Sequence, residues 1–211
     1  MSDTKGTRKR APQPEADRTT PSDWLEGFTT SDMTEWERLP DIGLYMDQVL
    51  TLVDRQLAFY RRGEDDKLVT SAMVNNYIKD GLLPRAESKK YTPAHLALLL
   101  VTVVLKQVMS IPDIKRIVSS SQAPDAAQRL YSRFLDLQRD AMRETADLIR
   151  QTQFSDTNGM DPEQTSEKLR MLALELVVEA RTRVLAAQKV LDMLDLIEIQ
   201  KNSYYRFLKE D

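Results

Sequence analysis

The sequence predicts a mainly α-helical protein: a winged helix-turn-helix with a short β wing, followed by a long helical hairpin. Three features lead there. Residues 41–61 and 92–109 keep apolar side chains at helical spacing. A short amide-rich helix stops at Gly81-Leu82-Leu83-Pro84 and runs into the cation-bearing stretch 85–91. Beyond residue 124, apolar residues step by three and four along two long segments.

The 211 residues are enough for one or two small domains. Three parts are expected: a disordered tail at 1–22, a winged helix-turn-helix domain with an N-terminal aromatic arm at 23–120, and a helical hairpin at 121–211 for dimerisation or an effector. A hydrophobic share of 41% and a charged share of 30% suit a soluble globular protein. The net charge of −3 does not announce a nucleic-acid binder. Between Arg61 and Val118, however, ten lysines and arginines stand against six acids, which supports a local basic face. With no cysteine and one histidine, thiolate metal sites and disulfide scaffolds are excluded. No signal peptide, transit peptide or membrane span is visible, so a cytoplasmic setting is expected.

Residues 1–22 are polar, proline-rich and charged, without an apolar period, and read as a solubilising tail. Both tryptophans, Trp24 and Trp36, follow with Leu25, Phe28, Met33 and Leu39. That aromatic content predicts an ordered arm packed on the next module or across a dimer, with Ser22 and Ser31 capping two short turns. Pro40-Asp41 opens the first long helix, with Asp41 as cap and Val49, Leu52, Val53 and Leu57 on its apolar face. Gly63 to Asp66 forms a solvated acidic turn.

Thr70 is the N-cap of a helix from about Ser71 to Asp80. Met73, Val74, Tyr77 and Ile78 form its buried stripe. The other face carries Ser71, Ala72, Asn75, Asn76 and Lys79. Small residues permit close approach to a major groove, and asparagine can bond bidentately to adenine. Gly81 is the expected left-handed C-cap, and Pro84 prevents the helix from resuming. Arg85, Lys89, Lys90 and Tyr91 then form two short extended arms whose cations reach phosphates.

Thr92-Pro93 starts the next helix, Thr92 as cap and Pro93 at the first helical position. Its body, HLALLLVTVVLKQVM, is apolar almost all round and reads as the central core helix. It is too short and too soon charged to span a bilayer. His95 is expected to be structural. Ser110 starts another helix with Asp113 in the capping-box position, and Ile114, Ile117 and Val118 on its buried side. After the hinge SSSQAPD, a helix capped by Asp125 runs to about Arg150, with Leu130, Phe134, Leu137, Ala141 and Leu148 facing inward. A polar loop at 151–160 leads to Asp161-Pro162, which starts the last helix. There Ala173, Val177, Ala180, Val184, Ala187, Leu191 and Leu194 keep a coiled-coil heptad to about Lys201. Tyr204, Tyr205, Phe207 and Leu208 add packing residues at the end. Two such helices bury little alone, and a second copy would close a four-helix core.

The run Val69-Thr70, Tyr77, Gly81-Leu82-Leu83-Pro84, Tyr91-Thr92, His95-Leu96 and Ser110 to Ile114 resembles the MerR-type winged-helix regulators. More narrowly, residues about 40–118 resemble the domain-of-unknown-function 1836 family, through LPDIGLYMDQVLTLV, VNNYIKDGLLP, KKYTPAHLALL and LKQVMSIPDIK. Asn75 and Asn76 stand where MerR proteins carry an arginine and the first tyrosine of a pair. The resemblance implies a DNA-binding transcription regulator and nothing catalytic.

The recognition set is thus Ser71, Ala72, Asn75, Asn76 and Lys79, and the wing set Arg85, Lys89, Lys90 and Tyr91. The expected partners are double-stranded DNA and a second copy, reading two half-sites. No membrane is expected, and the sequence identifies no effector. The alternative is a non-catalytic protein–protein interaction module built on a winged helix. An enzyme is not expected: there is no glycine-rich phosphate loop, cysteine nucleophile or metal cluster, so no catalytic, cofactor or metal residue is assigned.

Overall fold

A computed structural model describes residues 21–30, 32–61, 66–152 and 162–210, with the backbone alone for 21, 22, 162 and 201–210. The tail to residue 20, the caps at Ser31 and Asp161, the acidic turn at 63–65, most of the polar loop and the terminal aromatic side chains lie outside the described residues.

The protein is mainly helical. Its α-helices are α1 (Pro21–Thr30), α2 (Met46–Gln56), α3 (Ser71–Lys79), α4 (Pro93–Leu105), α5 (Ile111–Val118), α6 (Pro124–Gln151) and α7 (Pro162–Glu210). The local start signals work as the sequence implies. Thr70 Oγ1 accepts from the Met73 N–H at 3.3 Å, and Ser110 Oγ accepts from the Asp113 N–H at 3.3 Å. Pro93 and Pro162 are the first residues of their helices.

The apolar α4 lies at the centre, and every residue from Ala94 to Val103 is buried. Around it pack Val49 and Val53 of α2, Val74 and Tyr77 of α3, and Ile114 and Val118 of α5. The same core continues past residue 120 and takes Ala127, Tyr131 and Leu135 from α6. A small second cluster joins Leu25 of α1 to Ala146 and Ile149 of α6, with Phe28 and Leu172 of α7 against it.

The aromatic arm packs on its own body. The Tyr131 hydroxyl donates to the Thr34 carbonyl at 2.8 Å, and Gln56 Nε2 donates to Thr34 Oγ1 at 2.7 Å. Arg139 pairs with Asp32 at 3.0 Å and also with Glu35. Among the described residues, no helix is long and apolar enough to cross a membrane.

Four expectations need correction. The β wing is not built from strands: among the described residues only the isolated antiparallel bridges Leu44–Tyr91 and Glu87–Lys90 form. The first long helix starts at Met46, not at Asp41, because Leu44 exchanges both backbone hydrogen bonds with Tyr91 at 2.9 Å and keeps the chain extended. The inner face of α6 is turned by about one residue, to Ala127, Tyr131, Leu135, Met142, Ala146 and Ile149, while Leu137 is exposed. Finally, α6 and α7 do not zip together as a hairpin: α6 lies on α4 and α1, and α7 leans chiefly on α5. Of the expected α7 heptad, Leu191 is buried and Val184 half-buried, but Val177 is 66% exposed.

Candidate nucleic-acid interface

One side of α3 is anchored and the other is open. Val74 and Tyr77 are buried in the core. Ser71, Ala72, Asn75, Asn76 and Lys79 are all exposed, so the five residues selected from the sequence share one accessible face. Burial pushes the Tyr77 phenol up to about 12, so it stays neutral beneath that face.

The helix ends in a Schellman motif. Gly81 takes φ +77, the Leu82 N–H donates to the Tyr77 carbonyl at 2.9 Å, and the Gly81 N–H donates to the Ile78 carbonyl at 3.2 Å. A side chain is strained at that φ, which is why glycine stands there. Leu82 and Leu83 are then buried and turn the chain back onto the core. Lys115 of α5 comes up to this end of α3, its Nζ within 3.4 Å of where a Gly81 β-carbon would be. A cation there also complements the negative end of the helix dipole.

Where the sequence predicts a wing, the chain makes one tight turn. The Lys90 N–H donates to the Glu87 carbonyl at 2.9 Å, closing a two-residue loop. Ser88 (φ 50) and Lys89 (φ 63) both occupy the left-handed region. That is the type I′ hairpin geometry, which favours asparagine and glycine. The turn holds exposed Lys89 and Lys90 at its tip, with exposed Arg85 on its entering arm. Among the described residues, none of Lys79, Arg85, Lys89 and Lys90 is ion-paired with a carboxylate, although exposed Asp80 and Glu87 lie nearby in sequence.

The turn leans on a segment that sequence reasoning assigned to a helix. Leu44 bridges to Tyr91, and Gly43 lies directly against Lys90. The Lys90 ammonium stands 6.0 Å from the centre of the exposed Tyr45 ring. Gly43, Tyr45 and Lys115 were therefore missed as parts of this surface. Gly43, a poor helix former two residues after Asp41, was the signal against a helix running through there.

Tyr91 does not belong to the open surface. Its ring is buried and meets His95 edge-on at 5.5 Å between centroids. Burial raises its phenol pKa. It supports the turn at 87–90 from below.

His95 is likewise internal. The Thr92 N–H donates to His95 Nδ1 at 3.1 Å, so the neutral ring carries its hydrogen on Nε2. Nε2 is buried without a well-formed hydrogen bond, although the Arg85 and Pro84 carbonyls lie close enough to favour a proton there. Burial dominates and lowers the imidazole pKa; those carbonyls and the Glu87 charge oppose it.

Residues 34–134 match the model of a family described as Domain of unknown function (DUF1836). That range takes in α2 to α5 and the start of α6, with nearly all of the main core and the whole of the surface described above. No curated protein and no solved structure matches the chain.

Proposed function

We propose that this chain is a DNA-binding transcription regulator of MerR-like winged helix-turn-helix type, acting in the cytoplasm. In this reading α2 supports α3, α3 enters the major groove, and the turn at 87–90 reaches the adjacent phosphates. The observation that carries it is the shared exposure of Ser71, Ala72, Asn75, Asn76 and Lys79 on one side of an anchored helix. Amides at Asn75 and Asn76 suit base edges, and Lys79, Lys89, Lys90 and Arg85 suit phosphate oxygens. A second copy would let the protein read two half-sites.

The test is selection of duplex fragments bound by the full chain, followed by gel-shift titration of the enriched sequence. A shared inverted repeat, bound more weakly as salt rises, is the expected result. If Lys89→Glu with Lys90→Glu leaves the affinity unchanged, the surface serves a protein partner and the regulator reading falls.

A further inference from the structure

α5 carries two adjacent cations in opposite situations. Arg116 is committed within the fold. Its guanidinium reaches Asp195 of α7 at 2.7 Å, Asp192 at 3.5 Å and Asp113 of its own helix at 3.4 Å. Lys115 is exposed, and among the described residues it makes no ion pair and no hydrogen bond. Its charge therefore does not hold helices together as that of Arg116 does.

The base of Lys115 is nonetheless fixed. Ile114 just before it and Val118 three residues after it are fully buried and anchor α5 in the core. The side chain runs to the end of α3, where its Cε and Nζ stand 3.5 and 3.4 Å from the position of a Gly81 β-carbon. Because Gly81 has no side chain, the ammonium lies over bare backbone there. Exposed Lys79 comes two residues before Gly81, so two uncommitted cations from distant parts of the chain belong to one end of the helix. Exposed Asp80 stands between Lys79 and Gly81 in sequence and, among the described residues, is ion-paired with neither lysine. The helix dipole by itself attracts a cation to this end. A role towards a ligand predicts something further, a response of binding to salt.

We infer that Lys115 is a phosphate contact of the DNA-binding surface, supplied by α5 at the C-terminal end of α3. The inference rests on the proposed function, in which α3 enters the major groove. The nine residues of α3 extend about 14 Å at ~1.5 Å per residue, and the groove is about 12 Å wide. The ends of the helix then come to the strands that border the groove, and the ammonium beside Gly81 meets a phosphodiester oxygen. Lys115 has no carboxylate to release on binding, and a lysine ammonium accepts an oxygen from many directions. The contact reads no base, so it strengthens binding to all duplexes alike.

The test uses the full chain, the selected duplex and an unrelated one, in anisotropy titrations at several salt concentrations. Lys115→Gln should weaken both duplexes, on the order of threefold to tenfold, and lower the salt slope by about 1. Lys115→Arg should restore the slope. Arg143→Gln is the charge control, since Arg143 lies on α6, paired with Asp140 of its own helix at 3.9 Å, and it should change neither quantity. Duplexes with one neutral methylphosphonate linkage at a time should show a position that weakens the wild-type chain and no longer matters in Lys115→Gln. A wild-type chain that binds no duplex would overturn the proposed function and this inference with it. Binding by the wild type that Lys115→Gln leaves unchanged would overturn the inference alone. So would a lower melting temperature with an unchanged salt slope, which assigns Lys115 to capping α3, or a loss confined to the selected sequence, which assigns it to a base.

Discussion

Gly43 and Lys90 are in contact across the base of the turn at 87–90. A β-carbon on Gly43 would stand 2.8 Å from the Lys90 β-carbon, closer than side chains tolerate. The glycine is therefore what lets the extended segment 42–45 lie flat against the turn. Gly43→Ala should push Lys90 outward and weaken DNA binding while the protein remains folded. Gly27→Ala is the control: nothing lies within 4 Å of that site in α1, and removing a helical glycine should stabilise by about 0.5–1 kcal/mol. Gel-shift titrations and thermal melts of both variants check this. Unchanged binding in Gly43→Ala would mean that the placement of the wing does not matter.

Under the proposed function, contacts to bases and contacts to phosphates should separate by their salt response. Asn75→Ala should cost about 1–3 kcal/mol at one base position and relax selectivity there. Lys89→Gln should weaken all sequences alike and lower the salt slope by about 1. Anisotropy titrations at several salt concentrations, on the selected site and on an unrelated duplex, distinguish them.

The tip of the turn holds two non-glycine residues at positive φ, Ser88 and Lys89. Each left-handed side chain costs about 1–2 kcal/mol relative to glycine. Ser88→Gly should therefore raise stability by about 1 kcal/mol without removing a cation, whereas Lys89→Gly should raise it similarly and also weaken DNA binding. Urea unfolding set beside gel-shift titration reads both effects. Equal binding losses in the two variants would point to flexibility of the turn and not to the Lys89 charge.

His95 gives the fold a pH dependence with a definite sign. Burial holds its pKa below the ordinary value of 6.5, so the unfolded chain takes up a proton before the folded one does. Its contribution is fully present above about pH 6.5 and is lost as pH falls towards the folded value. Protonation at Nδ1 would also end the hydrogen bond from Thr92. His95→Gln can keep a capping acceptor for the Thr92 N–H and should flatten the loss of stability between neutral and mildly acidic pH. Because the chain has a single histidine, a slope that persists in this variant would assign it to carboxylates instead. Asp113 acts only at lower pH, because its hydrogen bond from Ser110 holds its carboxyl below the usual range.

Much of the architecture was legible because its signals are local. Thr70, Gly81, Thr92-Pro93, Ser110 and Pro162 mark starts and stops through backbone chemistry within a few residues, and the helices begin and end there. The run from Ala94 to Val103 is apolar on nearly all sides, with only His95 and Thr102 polar, so no choice of face was needed to place it inside. The exposed side of α3 could be read because its apolar residues leave a single arc. The rest depended on partners far away in sequence. Tyr91 looked like a surface residue of the wing and is buried, because Leu44 pairs with it and α4 presents His95 beneath it.

The helix starts, the central α4 and the amide-bearing face of α3 follow from residue order, since caps and all-round apolarity act within a turn or two of the chain. Long-range packing set where the extended segment ends and α2 begins, which face of α6 is buried, and how much of α7 is left uncovered. α6 carries apolar residues on adjacent faces, and the line through Ala127, Tyr131 and Leu135 is inside because α4 is there to receive it. Burial is a property of the pair of surfaces that meet, and neither segment encodes that pairing alone.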